Sequence, residues 1–409
     1  MTRFVQHNNV SVVSAILPQQ RAAAVVESVF AAGDRDALLI NARGTLMRDR
    51  WYQALLPMMS PEKEFVQFLV PDREVTHIIE AIVSAGELHL PGSGAVFAVP
   101  CTHLSCSEDF ALWSNAAWES DPLDRSRNLR ENLTAIFCIV QADQTDQIAR
   151  AAMNTGAHGP VVYYCEGRGL RDRLGWLRIT KKTHKEMLLV IVDNADAVIV
   201  TEAMIDAGDI DLPGRGFLFR VPIQTGLVNI GSTFGSQRYA ANMQQIIAAI
   251  DEIKGSAQWR DQRVNQLIGT GKSAGLSLFG KVRERCYLSG QCILSIIVGR
   301  KHAETIVDAA LAGGAPGANF SYAKLIEAES RSGPRGVRLN RERAIVRVIL
   351  AEERLTSVVI AIQAACAEHA ISEVCHYSQP VTRAITYVPE PENGTASAPL
   401  RSPRSSPRA

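Results

Sequence analysis

The sequence predicts an α+β fold in which one βαββαβ unit is used three times in tandem. Three observations predict it. LPGSGAVFAVP, starting at Leu90, is spelled again as LPGRGFLFRVP, starting at Leu212. The apolar, β-branched runs VVSAIL, AIFCIV and ILSIIV each precede a stretch with apolar residues spaced by three and four, as on one face of a helix. RERAIVRVILAEERLTSVVIAIQAA, from Arg341, matches PEKEFVQFLVPDREVTHIIEAIVSA, from Pro61. A search for internal repeats comes first because missing one misassigns the whole chain.

The elements follow in order. In each unit the first strand is followed by a helix closed by glycine: Gly33 after AAAVVESVFAA, Gly156 after TDQIARAAMNT, and Gly314 after AETIVDAALAG. A second short strand comes next (ALLINA, PVVYYCE, NFSYAKLIE), then a polar loop, a third strand (EFVQFLV, MLLVIV, AIVRVIL), a second helix and a last strand. Arg43 and Gly44 with Trp51 answer to Arg168 and Gly169 with Trp176, and Lys63 and Glu64 answer to Lys185 and Glu186. This order is the ferredoxin-like plan, one antiparallel sheet with two helices on one face. Its other face needs a cover.

Units are expected at 10–105, 132–231 and 288–390, the last divergent. Connectors are expected at 106–131 and 232–287; in the second, Met243, Ile246, Ile247, Ile250 and Ile253 fall at helical spacing. The tail, 391–409, is rich in proline, serine and arginine and is expected to be disordered.

Composition narrows the function. Of 409 residues, 43 are Lys or Arg and 42 Asp or Glu, for a formal charge of +1, so nucleic acid is not implied as a partner. No apolar run reaches membrane-spanning length, and the polar start does not read as a secretory signal, so a cytoplasmic protein without membrane insertion is expected. The eight cysteines form no CxxC pair and are read as buried small hydrophobes or bystanders, with no metal site. No Ser–His–Asp pattern, paired carboxylates or Walker sequence appears, and the histidines do not recur between units, so no enzyme is expected.

The order of elements, the long loop after the second strand and the glycine turn before the last strand resemble PII signalling proteins and their divergent PII-like relatives. CEGRGL, from Cys165 to Leu170, is similar to the start of the family's T-loop. IDAGDIDLPGRGFLF, from Ile205, is similar to the helix that leaves through the phosphate-cradling B-loop. The resemblance implies a homotrimer-like ring, here closed within one chain as an intramolecular, monomeric pseudo-trimer, with small ligands in clefts between neighbouring units. It places effector contacts at Arg43, Gly44, Gly92, Gly94, Gly167, Arg168, Gly169, Gly214, Arg215 and Gly216. Successive backbone N–H groups in a glycine turn can hold phosphate, although a plain β-turn with proline at its second position explains PGxG equally well.

Departures shape the expected ligand. Ala95 and Phe217 stand where the family has lysine after the B-loop, so ADP or AMP is expected before ATP, with bicarbonate as another candidate effector. In unit three, Ile371, Ser372, Glu373 and Val374 replace the turn, and Glu373 would repel phosphate, leaving at most two competent clefts. The loop ARGTLMRDRWYQALLPMMSPEKE carries Arg50, Trp51 and Tyr52, and the loop GRGLRDRLGWLRITKK carries Arg173 and Trp176, residue types enriched at protein interfaces. Two readings stand: these loops contact a protein target, as T-loops do, or pack on their own chain. The family implies a target enzyme or membrane transporter in nitrogen or inorganic-carbon metabolism. The alternative is a ligand-independent scaffold on the same frame.

Overall fold

The computed structural model describes residues 3–33, 36–45, 62–110, 129–157, 159–169, 184–230, 285–327 and 340–387. After an N-terminal strand β1 (Phe4–His7) come β2 (Val10–Pro18), α1 (Gln19–Gly33), β3 (Ala37–Gly44), β4 (Glu62–Pro71), α2 (Val75–Ala85), β5 (Gly94–Pro100) and a short β6 (His103–Ser107). The same order runs through β7 (Leu133–Gln141), α3 (Thr145–Asn154), β8 (Val161–Gly169), β9 (His184–Asp193), α4 (Ala197–Gly208), β10 (Gly216–Ile223) and a short β11 (Thr225–Asn229). It runs again through β12 (Gln291–Gly299), α5 (Ala303–Ala312), β13 (Gly317–Ile326), β14 (Asn340–Ala351), α6 (Leu355–Glu368), β15 (Val374–Val381) and a short β16 (Arg383–Thr386). We call these stretches blocks 1, 2 and 3.

Within the blocks all pairings are antiparallel, in the orders β3-β4-β2-β5, β8-β9-β7-β10 and β13-β14-β12-β15. Between blocks, the short strands lie on another block's last strand: β11 on β5, β16 on β10 and β6 on β15. A further junction joins the second strands, since β3 pairs with β8 and both pair with β13. The outer edges of β5, β10 and β15 are thereby paired, which removes from the last strand of each block the unpaired N–H and C=O row that promotes aggregation.

Side-chain alternation explains why the strands read as almost continuous apolar runs. In β2, Val13, Ala15 and Leu17 pack with Val25 and Val29 of α1 and Ile78 and Ile82 of α2. The intervening Val12 and Ile16 face a common core with Phe65, Phe97, Tyr163, Phe219, Ile297 and Tyr377, drawn from all three blocks. Both sheet faces are thus buried, one under helices and one against the other blocks. Among the described residues no helix is long and apolar enough to cross a membrane.

Two features escape sequence reading. Cys106 in β6 and Cys375 in β15 stand directly opposite and form a disulfide across a sequence separation of 269 residues, correcting for these two the reading of the cysteines as buried small hydrophobes or bystanders. Arg285, which precedes β12, is buried in ion pairs with Glu202 and Asp206 of α4. That cluster fastens the entry to block 3 onto block 2.

Candidate functional site: the turn ends of the three sheets

Strand register brings the expected turn and the ends of the long-loop strands to the same end of each sheet. In block 1, Pro18 pairs with Lys63, Arg43 with Glu62, and Ile16 with Ala95, next to Gly94. The two glycines of the turn do different work. Gly92 has φ +79°, a left-handed conformation that glycine adopts without steric cost. At Gly94 a Cβ would lie 2.0 Å from the Ile16 carbonyl oxygen, so only glycine lets the turn seat on β2. Block 2 repeats both: Gly214 has φ +73°, and a Cβ on Gly216 would lie 2.6 Å from the Ile139 carbonyl oxygen. The same turn hydrogen bonds recur, Ser93 N to Leu90 O at 3.2 Å and Arg215 N to Leu212 O at 3.3 Å.

A different stretch of chain flanks each turn. Asn229 at the end of β11 pairs with Gly94, and its Nδ2 donates to Leu88 O at 2.5 Å. Thr386 at the end of β16 donates through Oγ1 to Gly216 O at 2.8 Å. In block 3, Val374 N donates to Ser107 Oγ of β6 at 3.0 Å. Each turn is therefore held by a strand of another block.

The other expected residues lie on seams between blocks. Arg43 reaches Glu186 at 3.0 Å and Asp146 at 3.6 Å in block 2, and Gly44 pairs with Val161. Arg168 reaches Glu304 at 3.1 Å and Asp308 at 3.4 Å in block 3. Gly167 pairs with Asn319, where a Cβ would come 2.5 Å from the Asn319 side-chain oxygen, and Gly169 pairs with Gly317. Arg215 meets Gln144: with the Gln144 amide oriented to satisfy both ends, its nitrogen donates to Arg215 O at 3.1 Å and its oxygen accepts from Arg215 Nη1 at 2.7 Å. Arg50, Trp51, Tyr52, Arg173 and Trp176 lie outside the described residues.

Sequence reasoning missed one set of cations. Lys63, Lys185 and Arg343 occupy the same register position, opposite Pro18, Gln141 and Gly299. Arg343 forms an ion pair with Glu373, and Arg341 Nη1 also donates to Glu373, at 2.6 Å. Burial pushes the Glu373 carboxyl up, but its hydrogen bonds and charge contacts with Arg343 and Arg341 outweigh this and hold it below the usual carboxylate range. Glu373 is thus not a bare repelling charge but the internal anion of the block 3 turn. Lys63, by contrast, is half-buried, and burial alone lowers its pKa. Among the described residues no carboxylate pairs with it across the glycine turn. The signal was visible as the recurrence of Lys63 at Lys185, but its meaning depends on the distant Glu373.

Among the described residues, no group of three or more His, Cys, Asp or Glu is placed to hold a metal ion. No protein-family model matches the sequence, and no curated protein matches it. Among solved structures, the chain is similar to the ligand-free regulatory subunit of aspartate kinase from Thermus thermophilus, at 12% identity over 50% of this chain and 95% of that chain, with a TM-score of 0.18. A likeness at that score carries no argument about function.

Proposed function

We propose that the protein is a cytoplasmic, non-catalytic PII-like sensor whose three blocks act as an intramolecular pseudo-trimer. Its effector is a small anion or an adenine nucleotide, bound in the turn clefts of blocks 1 and 2. The cyclic strand exchange and common core support the pseudo-trimer reading. One observation carries the ligand reading: Lys63 and Lys185 occupy the register position at which Arg343 meets the carboxylate of its block's turn, and at the position of that carboxylate blocks 1 and 2 carry Ser93 and Arg215. A lysine drawn partly out of water favours an anionic partner. Block 3 already supplies its own anion and serves as a structural third.

Effector binding would act by favouring one arrangement of the T-loop-like segments that follow β3 and β8, through which Trp51 and Trp176 would meet a protein target. The family resemblance directs that target to an enzyme or transporter of nitrogen or inorganic-carbon metabolism. A second reading, a ligand-independent scaffold, draws support from Arg43 and Arg168, whose charges are already matched by carboxylates across the seams.

Titration calorimetry with ATP, ADP, AMP, cyclic nucleotides and bicarbonate separates the two. Binding at up to two sites per chain, weakened at least about tenfold by joint Lys63→Gln and Lys185→Gln substitution, is expected for the sensor. Absence of heat with every ligand leaves the scaffold.

A further inference from the structure

The common core is not uniformly apolar. The same register position carries Ser14 opposite Gln67 in block 1, Phe137 opposite Leu189 in block 2, and Ser295 opposite Arg347 in block 3. In each strand these residues share the alternation of side chains that face the common core, such as Ile345 and Ile349 on either side of Arg347. Block 2 fills its share with stacked rings, Phe137 and Phe219, whose centroids are 5.1 Å apart. Beside Phe137 lies a cavity of about 30 Å³ whose polar wall comes from blocks 1 and 3, with Ser14, Gln67, Ser295, Arg347, Tyr377 and Gln379.

Arg347 is only 5% exposed. Its side chain is a guanidinium, a cation with five N–H donors and no acceptor. Its contacts are weak: Nη2 to Gln67 Oε1 at 3.4 Å, and the guanidinium carbon 5.6 Å from the centre of the Tyr163 ring. Nη1 is buried without any hydrogen-bond partner, and no carboxylate is among the partners of Arg347 within the described residues. The nitrogens of the neighbouring amides donate elsewhere, Gln67 Nε2 to Ser14 Oγ at 3.2 Å and Gln379 Nε2 to Val99 O at 3.2 Å. A buried cation without a counter-ion is among the costliest arrangements a protein core can hold. A water in the cavity would satisfy a hydrogen bond but not the charge.

We propose that this cavity binds one halide-sized monovalent inorganic anion, anchored on Arg347 Nη1 at the meeting point of the blocks. The charge count sets the valence: one cation, at a position where the other blocks carry Gln67 and Leu189, is neutralised by one negative charge. The cavity volume sets the size, since about 30 Å³ is room on the scale of a single small inorganic anion. The site is separate from the turn clefts and does not depend on their ligand.

Two measurements on the full chain test it. Crystals of the wild-type protein grown in sodium bromide should give an anomalous peak beside Arg347 Nη1; a cavity holding only water overturns the proposal. Thermal unfolding at constant ionic strength, with bulky gluconate replaced stepwise by chloride or bromide, should show Tm rising by several degrees along a saturating curve. Arg347→Met, which keeps the length of the stem and removes the charge, should flatten that curve. An equal halide response in both proteins, or none in the wild type, overturns the assignment. If the variant fails to fold, the bromide crystals decide alone.

Discussion

Glu373 sits where block 1 has Ser93 and block 2 has Arg215, and its carboxylate closes on the Arg343 guanidinium, buried at the start of β14. Glu373→Ala leaves Arg343 uncompensated and is expected to destabilise the chain by about 2 kcal/mol, less than a fully buried pair because Glu373 is partly solvated. Urea denaturation checks the figure. The folded pKa of Glu373 lies below its ordinary value, so its contribution is complete above the ordinary carboxylate range and fades as pH falls through the folded value. In Glu373→Ala this part of the acid dependence disappears.

His376 supplies a second acid transition. It is fully buried, its ring stacks on His103 with centroids 5.4 Å apart, and burial, then the charge of His103, lowers its pKa to about 4. The unfolded chain takes up its proton near pH 6.5 while the folded one resists. Stability is therefore complete above that pH and declines down to about pH 4, by on the order of 3 kcal/mol in all. His376→Gln should lose this slope. An unchanged profile between pH 6.5 and 4 would assign the slope to other groups.

The glycines of the turns should separate by mechanism. Gly94→Ala forces a Cβ to 2.0 Å from the Ile16 carbonyl oxygen and is expected to cost about 3 kcal/mol or more, because β2 must give way. Gly214→Ala meets nothing within 4 Å and pays only for its φ of +73°, about 1 kcal/mol. Comparable losses for the two, measured by thermal unfolding, would refute the distinction.

Thiol counting examines the β6–β15 bridge. Alkylation of oxidised, denatured protein should label six cysteines and spare Cys106 and Cys375. Labelling of all eight would remove the bridge. Disulfides are rare in the reducing cytoplasm, so protein kept reduced is the form to compare, and it should unfold more easily by about 2–4 kcal/mol.

Much of the fold was legible because the blocks obey local rules. Period-two runs such as VVSAIL and glycine-closed helices announce themselves within a few turns of chain, and LPGSGAVF beside LPGRGFLF showed that one solution recurs. The strands β6 and β11 were not legible, because a five-residue strand is defined by the distant edge it completes. The candidate clefts were half legible. The turns were visible, but Arg43 and Arg168 are matched by carboxylates such as Glu186 and Glu304, which no local pattern couples to them. Arg347 was invisible as a core residue, since its counterparts Gln67 and Leu189 share no chemistry with it.

The exchange of short strands also sets a timetable for synthesis. The edge of β5 can be completed once Thr225–Asn229 has left the ribosome, but β6 waits for Val374–Val381 and β10 for Arg383–Thr386. A nascent chain therefore carries two open sheet borders until residues 374–386 emerge, and chaperone demand should be greatest before they do.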